Sequence, residues 1–150
     1  MTDIKKQKDI IENRFGRVLG MTAKAMKQFL NRKLIESGYD LTFEQAVIIA
    51  HSLLDDGLNQ QQIADMIDRD KTSTTRFIDI LEERKLVARV PDKDDRRQNI
   101  IRLTKDGEKR CQEFMRIAGE AHEEMLKEID PADIEVCKDV LRKVYRNISD

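Results

Sequence analysis

Two neighbouring segments carry side chains that suit contact with a polyanion. The first, K-T-S-T-T-R at residues 71–76, combines short hydroxyl groups with two cations. The second, P-D-K-D-D-R-R-Q at residues 91–98, places two adjacent arginines among acids and an amide. Short hydroxyl side chains let a helix lie close to phosphates and base edges, and arginine can bind guanine through two parallel hydrogen bonds. These residue types predict binding to double-stranded DNA.

Residue types that support catalysis or metal binding are sparse. His51 and His122 are the two histidines of the chain, and neither has a nucleophile or a second ligand at a useful spacing. A phosphate-cradling glycine loop is absent from the sequence. The glutamates that neighbour His122 form only a weak metal-ligand set, namely Glu120, Glu123 and Glu124. We therefore predict no enzyme, no metal and no cofactor.

The cysteine content and the hydropathy of the sequence indicate the cellular compartment of the protein. Cys111 and Cys137 are too few for a disulfide framework and fall in helical patterns, so we expect half-buried structural residues. No apolar run approaches the roughly 18 residues that a membrane span needs. Residues 1–11 are polar with mixed charge, unlike a signal peptide. The expectation is a cytoplasmic protein without membrane contact.

Positive charge is concentrated locally although the net charge is only −1. Residues 69–103 carry ten Lys and Arg against seven Asp and Glu, a local charge of +3. Residues 41–68 carry five acids and no Lys or Arg. A local basic patch matters more to a polyanion than the charge of the whole chain. The basic patch coincides with the two segments described above.

The elements that position these segments are mainly helical. Apolar residues at steps of three and four predict helices over residues 6–36, 42–55, 105–128 and from Pro131 to the end. Gly16 and Gly20, four residues apart, lie on one face of the first helix and predict the close approach of another helix.

Two short helices lie between the long ones. Asn59 and Asp70 are predicted as the N-caps of helices over residues 60–67 and 71–84, with the turn at Asp68-Arg69. Two helices joined by so short a turn indicate a helix-turn-helix. Five residues share the face of the second helix that points away from its apolar side, namely Lys71, Thr72, Thr75, Arg76 and Asp79.

A hairpin is predicted directly after the helix-turn-helix. Two β-leaning runs, residues 86–90 and 99–103, flank the charged segment. A narrow minor groove attracts inserted arginine, and Arg97 lies near the hairpin tip. Asp95 stands two residues before Arg97 and would direct it through a charge-assisted bond. A plain solvated loop tip is the alternative, which the position after a helix-turn-helix disfavours.

From Leu41 to Gly107 the sequence resembles the MarR family, the multiple antibiotic resistance regulators. The matching stretches are LTFEQAVII, QQQIADMIDRDKTSTTRFIDILE, LVARVPDKDDRR and IIRLTKDG. Two positions depart from the family pattern. Lys85 replaces a glycine that serves a left-handed C-cap, so we expect strain or a different helix end. Thr74 replaces an aliphatic residue, and we expect its hydroxyl to bond back to a carbonyl.

The resemblance implies a mainly α fold with a small β wing. A winged helix-turn-helix lobe over residues 41–103 would be flanked by dimerisation helices over 1–40 and 104–150, all in one intertwined domain. The implied function is a homodimeric regulator of palindromic DNA sites, more often a repressor than an activator. Together with the helical pattern, the resemblance assigns the recognition helix Lys71, Thr72, Ser73, Thr75 and Arg76. It assigns the wing Lys93, Asp95, Arg96 and Arg97, with Asp95 as the ionic partner of Arg97.

The resemblance also raises the question of an effector. Many family members lose DNA affinity when a small molecule or an oxidant acts near the hinge between their lobes. Candidate residues for such a pocket are Met21, Met26, Phe29, His51 and Met115, for which ordinary core packing is the favoured interpretation. The chain lacks the reactive cysteine that peroxide-sensing members carry in their first helix.

A second class of function stays open at this stage. A winged helix can serve as a protein-interaction module that does not touch DNA. Such a module predicts a neutral or apolar recognition face, whereas Thr72 and Arg76 make that face polar and basic.

Overall fold

The computed structural model describes residues 3–12, 14–54 and 57–149. As predicted, this part of the chain is mainly helical with a small antiparallel sheet. Its elements, in chain order, are α1 Asp3–Glu12, α2 Phe15–Glu36, α3 Phe43–Leu54, β1 Leu58–Asn59, α4 Gln60–Ile67, α5 Lys71–Glu83, β2 Val87–Pro91, β3 Asn99–Leu103, α6 Lys105–Met125 and α7 Pro131–Ile148.

Helices α4 and α5 form the helix-turn-helix where the sequence predicts it. The Asn59 side chain accepts from the backbone N–H of Gln62 at 2.8 Å, and the Gln62 side chain accepts from the N–H of Asn59 at 2.8 Å. Asp68 ends α4 in the left-handed conformation, with φ 50°. Asp70 then starts α5 by accepting from the N–H of Ser73 at 2.9 Å. These caps satisfy backbone groups that the helices leave unpaired, which is why local sequence alone locates them.

The first helix predicted over residues 6–36 is wrong, because α1 and α2 are separate helices. Arg14 between them has an extended backbone, with φ −64° and ψ 132°. Ile11 and Phe15 keep a four-residue step across the break, so the apolar periodicity does not register it. An added Cβ at Gly16 or Gly20 would meet nothing within 4 Å, so none of the helices described in this structure approaches either glycine closely.

One further helix end differs from the prediction, and another lies outside the described residues. α3 begins with a capping box, in which Gln45 and Thr42 exchange hydrogen bonds of 3.0 and 3.3 Å. Asp55, where the sequence predicts the end of α3, lies outside the described residues. α6 ends at Met125 rather than residue 128. Glu128 has φ 64°, a left-handed residue that turns the chain towards α7.

The sheet contains one strand more than the predicted hairpin. β2 and β3 pair antiparallel from Val87 opposite Leu103 to Pro91 opposite Asn99. The two residues of β1 pair with the other edge of β3, giving the order β1-β3-β2. Two residues are too few to show an alternating pattern, so only the pairing with β3 defines this strand.

The structure shows how α5 accepts the two residues that depart from the family pattern, Lys85 and Thr74. Lys85 has φ 59°, so it occupies the left-handed position that the pattern gives to glycine. Its N–H bonds to the carbonyl of Glu82 at 2.8 Å, and the N–H of Leu86 bonds to the carbonyl of Leu81 at 2.9 Å. This is a Schellman end, with lysine carrying a strain of about 1 kcal/mol. The Thr74 hydroxyl donates to the Asp70 carbonyl at 2.9 Å, as predicted.

One hydrophobic core joins the helix-turn-helix, the sheet and α6. α7 contributes no buried residue to it. Among the described residues, no helix combines the length and apolarity that crossing a bilayer requires. The core consists of Leu34, Tyr39, Leu41, Ala46, Ile48, Ile49, Leu58, Ile63, Ile78, Leu81, Leu86, Val87, Ile101, Cys111, Phe114 and Ile117.

The hairpin is closed at its base where α6 begins. The Thr104 hydroxyl donates to the Lys85 carbonyl at 2.6 Å, and the Thr104 N–H donates to the Leu86 carbonyl at 3.1 Å. The N–H of Gly107 donates to Thr104 Oγ1 at 3.0 Å. A Cβ on Gly107 would lie 2.0 Å from the Leu86 carbonyl oxygen. Only glycine therefore fits at this crossing.

We predict that Gly107→Ala destabilises the protein by about 1–3 kcal/mol, because the backbone of α6 must move away from Leu86. Gly119→Ala in the same helix is the matched control, since an added Cβ there meets nothing within 4 Å. It should stabilise by up to about 1 kcal/mol through helix propensity. Urea denaturation at equal protomer concentration measures both. Wild-type stability in Gly107→Ala would contradict the close approach.

Candidate nucleic-acid interface

The outward face of α5 carries three side chains that are available to a ligand. Lys71, Thr72 and Arg76 are all exposed. Among the described residues, none of these three side chains has a hydrogen-bonding or ionic partner. They stand in the first two turns of the helix that starts at the Asp70 cap. The sequence prediction for these three positions agrees with where the structure places them.

The other two residues assigned to the recognition face are held within the protein. The Ser73 hydroxyl donates to Asp70 Oδ2 at 2.7 Å. Backbone and hydroxyl hydrogen bonds from Ser73 lower the pKa of Asp70, so the cap stays charged. The Thr75 hydroxyl donates to the Lys71 carbonyl at 2.8 Å, and the Gln60 side-chain amide donates to the Thr75 oxygen.

The acids of the hairpin tip organise its backbone. Asp92 Oδ1 accepts from the N–H of Asp94 at 2.8 Å. Asp95 Oδ1 accepts from the N–H of Arg97 at 3.0 Å, and Asp95 Oδ2 accepts from the Gln98 amide at 3.2 Å. Such bonds from an Asp to an N–H two residues later close tight turns. The acids that look unfavourable beside a polyanion thus shape the loop that presents its cations.

The predicted ionic pairing of Asp95 with Arg97 is therefore corrected. In the part of the chain that the structure describes, Asp95 bonds to the backbone of Arg97 and forms no ion pair with its guanidinium. Both oxygens of the carboxylate accept hydrogen bonds within the turn. Lys93, Arg96 and Arg97 are all exposed at the tip.

Arg89 fastens the hairpin to α5 and is not part of the outward-facing cations. Its guanidinium lies 2.5 Å from Asp79 and also pairs with Glu82. The backbone N–H of Arg89 donates to Glu82 as well, at 3.1 Å. In the sequence, Arg89 is one more cation near the base of the hairpin. The signal for its structural role was the pair of acids on α5, three residues apart and facing β2.

A polar cleft lies between the two predicted contact surfaces. Its volume is about 380 Å³, and it is lined by Asn59, Gln60, Gln61, Lys71, Arg89, Arg97, Gln98, Asn99 and Ile101. Lys71 of α5 and Arg97 of the hairpin thus border the same space. The sequence prediction did not include Gln60 and Gln61, since in sequence they are only polar positions at the start of a helix.

A second set of ion pairs fixes the start of the recognition helix to α2 and α3. Glu44 accepts from Lys27 at 2.9 Å and from Arg69 at 3.1 Å. Burial works to raise the pKa of Glu44, but the hydrogen bonds from Lys27 and Arg69 outweigh it and bring that pKa to about 2. Because Arg69 lies in the turn before α5, this carboxylate helps to hold the turn in place.

Comparison with known proteins supports the resemblance. The MarR family model matches residues 55–98. The transcriptional regulator PA3341 shares 26% identity and a TM-score of 0.81, over 90% of this chain and 98% of that one. Escherichia coli MarR shares 23% identity and a TM-score of 0.75, over 87% and 96%. BpsR of Bordetella bronchiseptica shares 22% and a TM-score of 0.77, over 93% and 96%.

The chain carries a MarR-family domain. The matched residues include the whole helix-turn-helix and the hairpin tip, which are the segments singled out from the sequence. The fold likeness to solved MarR-family regulators extends beyond them to the flanking helices. The hairpin of β2 and β3 accordingly corresponds to the wing of a winged-helix fold, and α5 is the second helix of its helix-turn-helix.

The candidate effector residues do not converge on one site. Met26 lines an open apolar cavity of about 320 Å³ between α2, Phe43 and Met125. Phe29 is partly buried and lies under the cations of Arg32 and Lys33. The side chains of Met21, Met26, His51 and Met115 are all exposed. Core packing, the favoured interpretation, does not describe these four.

The cysteines differ from each other more than the sequence predicts. Cys111 is fully buried in the core, and burial raises the pKa of its thiol. Cys137 is exposed on α7. The expectation that both are half-buried is therefore wrong. Among the described residues, no group of His, Cys, Asp and Glu side chains is arranged to hold a metal ion.

Asp95→Asn distinguishes whether Asp95 holds the hairpin tip through hydrogen-bond geometry or through its charge. An asparagine keeps the oxygen that accepts from the Arg97 N–H, so the turn should survive, whereas Asp95→Ala should lose it. Amide hydrogen exchange measured by NMR should therefore show the Arg97 N–H protected in wild type and Asp95→Asn, and about five- to tenfold less protected in Asp95→Ala. Equal loss of protection in both variants would mean that the charge, rather than the turn geometry, holds this loop.

Proposed function

We propose that this MarR-family chain is a homodimeric, sequence-specific DNA-binding regulator that represses transcription at palindromic sites. The observation that carries the proposal is the shared cleft of the recognition helix and the wing. Lys71 and Arg97 border it, and Arg76 and Arg96 are exposed on the same two elements. Unpaired cations on two adjacent projections suit a DNA duplex, whose phosphates carry closely spaced negative charge.

The mode of docking follows from the two elements. α5 would enter the major groove with the N-terminal residues Lys71, Thr72 and Arg76 towards the bases and phosphates. Arg97 would reach the adjacent minor groove, whose negative potential favours the weakly hydrated guanidinium. Arg96 and Lys93 lie beside it and would approach the phosphate backbone. Such a regulator acts where the DNA is, so we propose a cytoplasmic location.

A homodimer is supported by apolar surface that one chain leaves uncovered. Tyr145 and Ile148 on α7 are 68% and 76% exposed, and Phe15 on α2 is 52% exposed. An open apolar cleft of about 710 Å³ lies between Leu19 of α2 and the last turns of α7. Exposed apolar patches of this extent mark interaction surfaces. We assign dimerisation to residues 1–40 and 104–150, and DNA binding to residues 41–103.

An effector remains part of the proposal. BpsR, with which this chain shares its fold, is regulated in its DNA binding by 6-hydroxynicotinic acid. In this chain the apolar cavity at Met26 is bordered by Lys27, whose ammonium bonds to Glu44. Glu44 in turn holds Arg69 in the turn before α5. A small acidic molecule that drew Lys27 away would therefore act on the segment that sets the recognition helix.

The protein-interaction alternative is less well supported. It requires a recognition face without unpaired cations, whereas Lys71 and Arg76 stand unpartnered among the described residues of that face. Equal and weak binding to every DNA tested would favour the alternative.

Arg97→Ala should weaken binding to a specific DNA site about tenfold or more, because the wing loses its groove contact. The control is Arg116→Ala, which removes the same charge from α6, where Arg116 pairs with Glu120 at 2.7 Å. Fluorescence anisotropy would compare DNA from beside the protein's own gene with scrambled DNA at physiological salt, since non-specific binding is mostly counterion release. Equal affinities of the two variants for the specific site would show that Arg97 of the wing does not contact the DNA.

Leu141→Ser should shift the oligomer towards monomer, because Leu141 lines the apolar cleft beside Leu19. Lys143→Ser, two residues along the same helix and exposed, is the control and should leave the dimer intact. Burial of one leucine side chain contributes roughly 2 kcal/mol. In a symmetric dimer it is lost twice, so sedimentation should report a dissociation constant raised about a hundredfold or more. A wild-type monomer at micromolar concentration would refute the dimer.

A further inference from the structure

One contact between the two helices of the helix-turn-helix reaches the DNA-facing side chains. Gln60 is the first residue of α4, and its side-chain amide bonds to the hydroxyl of Thr75 on α5. Both residues are partly buried. Gln60 also borders the polar cleft together with Lys71 and Arg97. A residue outside the recognition helix thus touches a residue that faces the DNA in the proposed function.

The donors and acceptors at Thr75 can be assigned from chemistry. A threonine hydroxyl has one proton to donate and two lone pairs that accept. The Lys71 carbonyl lies 2.8 Å from Thr75 Oγ1 and can only accept, so the hydroxyl proton points to it. Gln60 must then present its NH₂ group and not its carbonyl. These two bonds use the proton and one lone pair of Thr75.

What remains of Thr75 is one lone pair and a methyl group. In the major groove the hydrogen-bond donors are the exocyclic amino groups of adenine and cytosine, and thymine offers a methyl group. Held in this way, Thr75 would accept from an amino group or contact a methyl group, but would not donate to guanine. An unrestrained threonine in a helix divides between two side-chain rotamers and would donate as readily as accept.

The neighbouring glutamine is occupied elsewhere. Gln61 also borders the cleft, but its amide donates to Asp65 on the same helix at 2.8 Å and the residue is exposed. The start of α4 is fixed by the capping box of Asn59 and Gln62, so the backbone of Gln60 has a defined position. The two adjacent glutamines therefore differ: Gln60 bonds to Thr75 on the recognition helix, whereas Gln61 bonds within its own helix.

We infer that Gln60 is a positioning residue for sequence discrimination, which holds Thr75 as a hydrogen-bond acceptor towards one base pair of the DNA site. The inference rests on the proposed function, since it assigns a role within DNA reading. It adds that the specificity of the recognition helix depends on a residue of the preceding helix, and it names the base groups that Thr75 would read.

The test is a mutant cycle on DNA discrimination. Thr75→Val keeps the shape of the side chain and removes the hydroxyl, so a scan of single base-pair changes in the site identifies the pair that Thr75 reads. Gln60→Met keeps the length of the side chain and removes the amide, and Gln61→Met is its matched control. Each variant and the double variant Gln60→Met/Thr75→Val are titrated on the original and changed sites. Thermal denaturation and sedimentation check fold and dimer, and Gln60→Ala provides a second truncation.

The expected result is a selective loss of discrimination. Gln60→Met and Gln60→Ala should lower the preference at the Thr75 base pair about three- to tenfold, as for the loss of one hydrogen bond. Other positions should stay unchanged. Gln61→Met removes an amide from the same cleft, so its overall affinity is not the control; its preference at the Thr75 base pair should stay that of wild type, because Gln61 bonds to Asp65. The double variant should discriminate no less than Thr75→Val alone, because both changes remove the same contact.

Other outcomes overturn the inference in distinguishable ways. If Gln60→Met discriminates as wild type does, Gln60 has no positioning role, although the proposed function stands. If Gln60→Met weakens all DNA equally, Gln60 is a phosphate contact. If the wild-type protein binds every sequence equally, the proposed function fails and the inference fails with it.

Discussion

The close approach of α6 to Leu86 is the constraint on which the winged lobe depends. Gly107 leaves room for the Leu86 carbonyl because it has no Cβ, and Thr104 can then bond to the carbonyls of both Lys85 and Leu86. The end of α5, the two strands and the start of α6 are thereby joined at one point. Arg89 adds a second attachment through Asp79 and Glu82 on α5. The wing consequently leaves α5 at a fixed place. In the proposed function this would favour DNA binding, because a looser arrangement of the two elements would lose more entropy on binding.

The charged residues divide into two groups that the sequence does not distinguish. Arg84 and Arg110 both pair with Asp40, and Arg110 also lies over the Tyr39 ring. These cations tie the loop after α2 to α5 and α6. Lys71, Arg76 and the arginines of the wing tip have no such partners among the described residues. A count of basic residues would rank both groups equally for DNA binding, whereas their partners decide which of them remain available to phosphate.

The terminal helices give the chain a second surface of opposite character. α7 buries none of its residues within the chain, yet its apolar side chains repeat at helical spacing. α1 and the first half of α2 likewise expose apolar residues. In the proposed dimer these helices would cover one another and set the separation of two recognition helices. The ion pairs of Glu44 connect Lys27 on α2 to Arg69 in the turn before α5. In the proposed function, a movement of α2 would therefore be passed to α5 through these two ion pairs.

The sequence by itself determined the helix caps, because Asn59, Asp70, Thr104 and Asp130 bond to backbone groups only two or three residues away. It also determined the helix-turn-helix, the wing and the resemblance to the MarR family, since each depends on residues that are close in sequence. The outward positions of Lys71, Thr72 and Arg76 also followed from helical periodicity. Three features needed the tertiary structure: the break at Arg14, the pairing of β1, and the partners of Arg89, Asp95 and Gln60. The break at Arg14 is hidden because Ile11 and Phe15 keep the four-residue step of a continuous helix. The pairing of β1 is hidden because a strand of two residues shows no alternating pattern. The third depends on which side chains meet across elements, and a linear pattern of charges and amides carries no information about such distances.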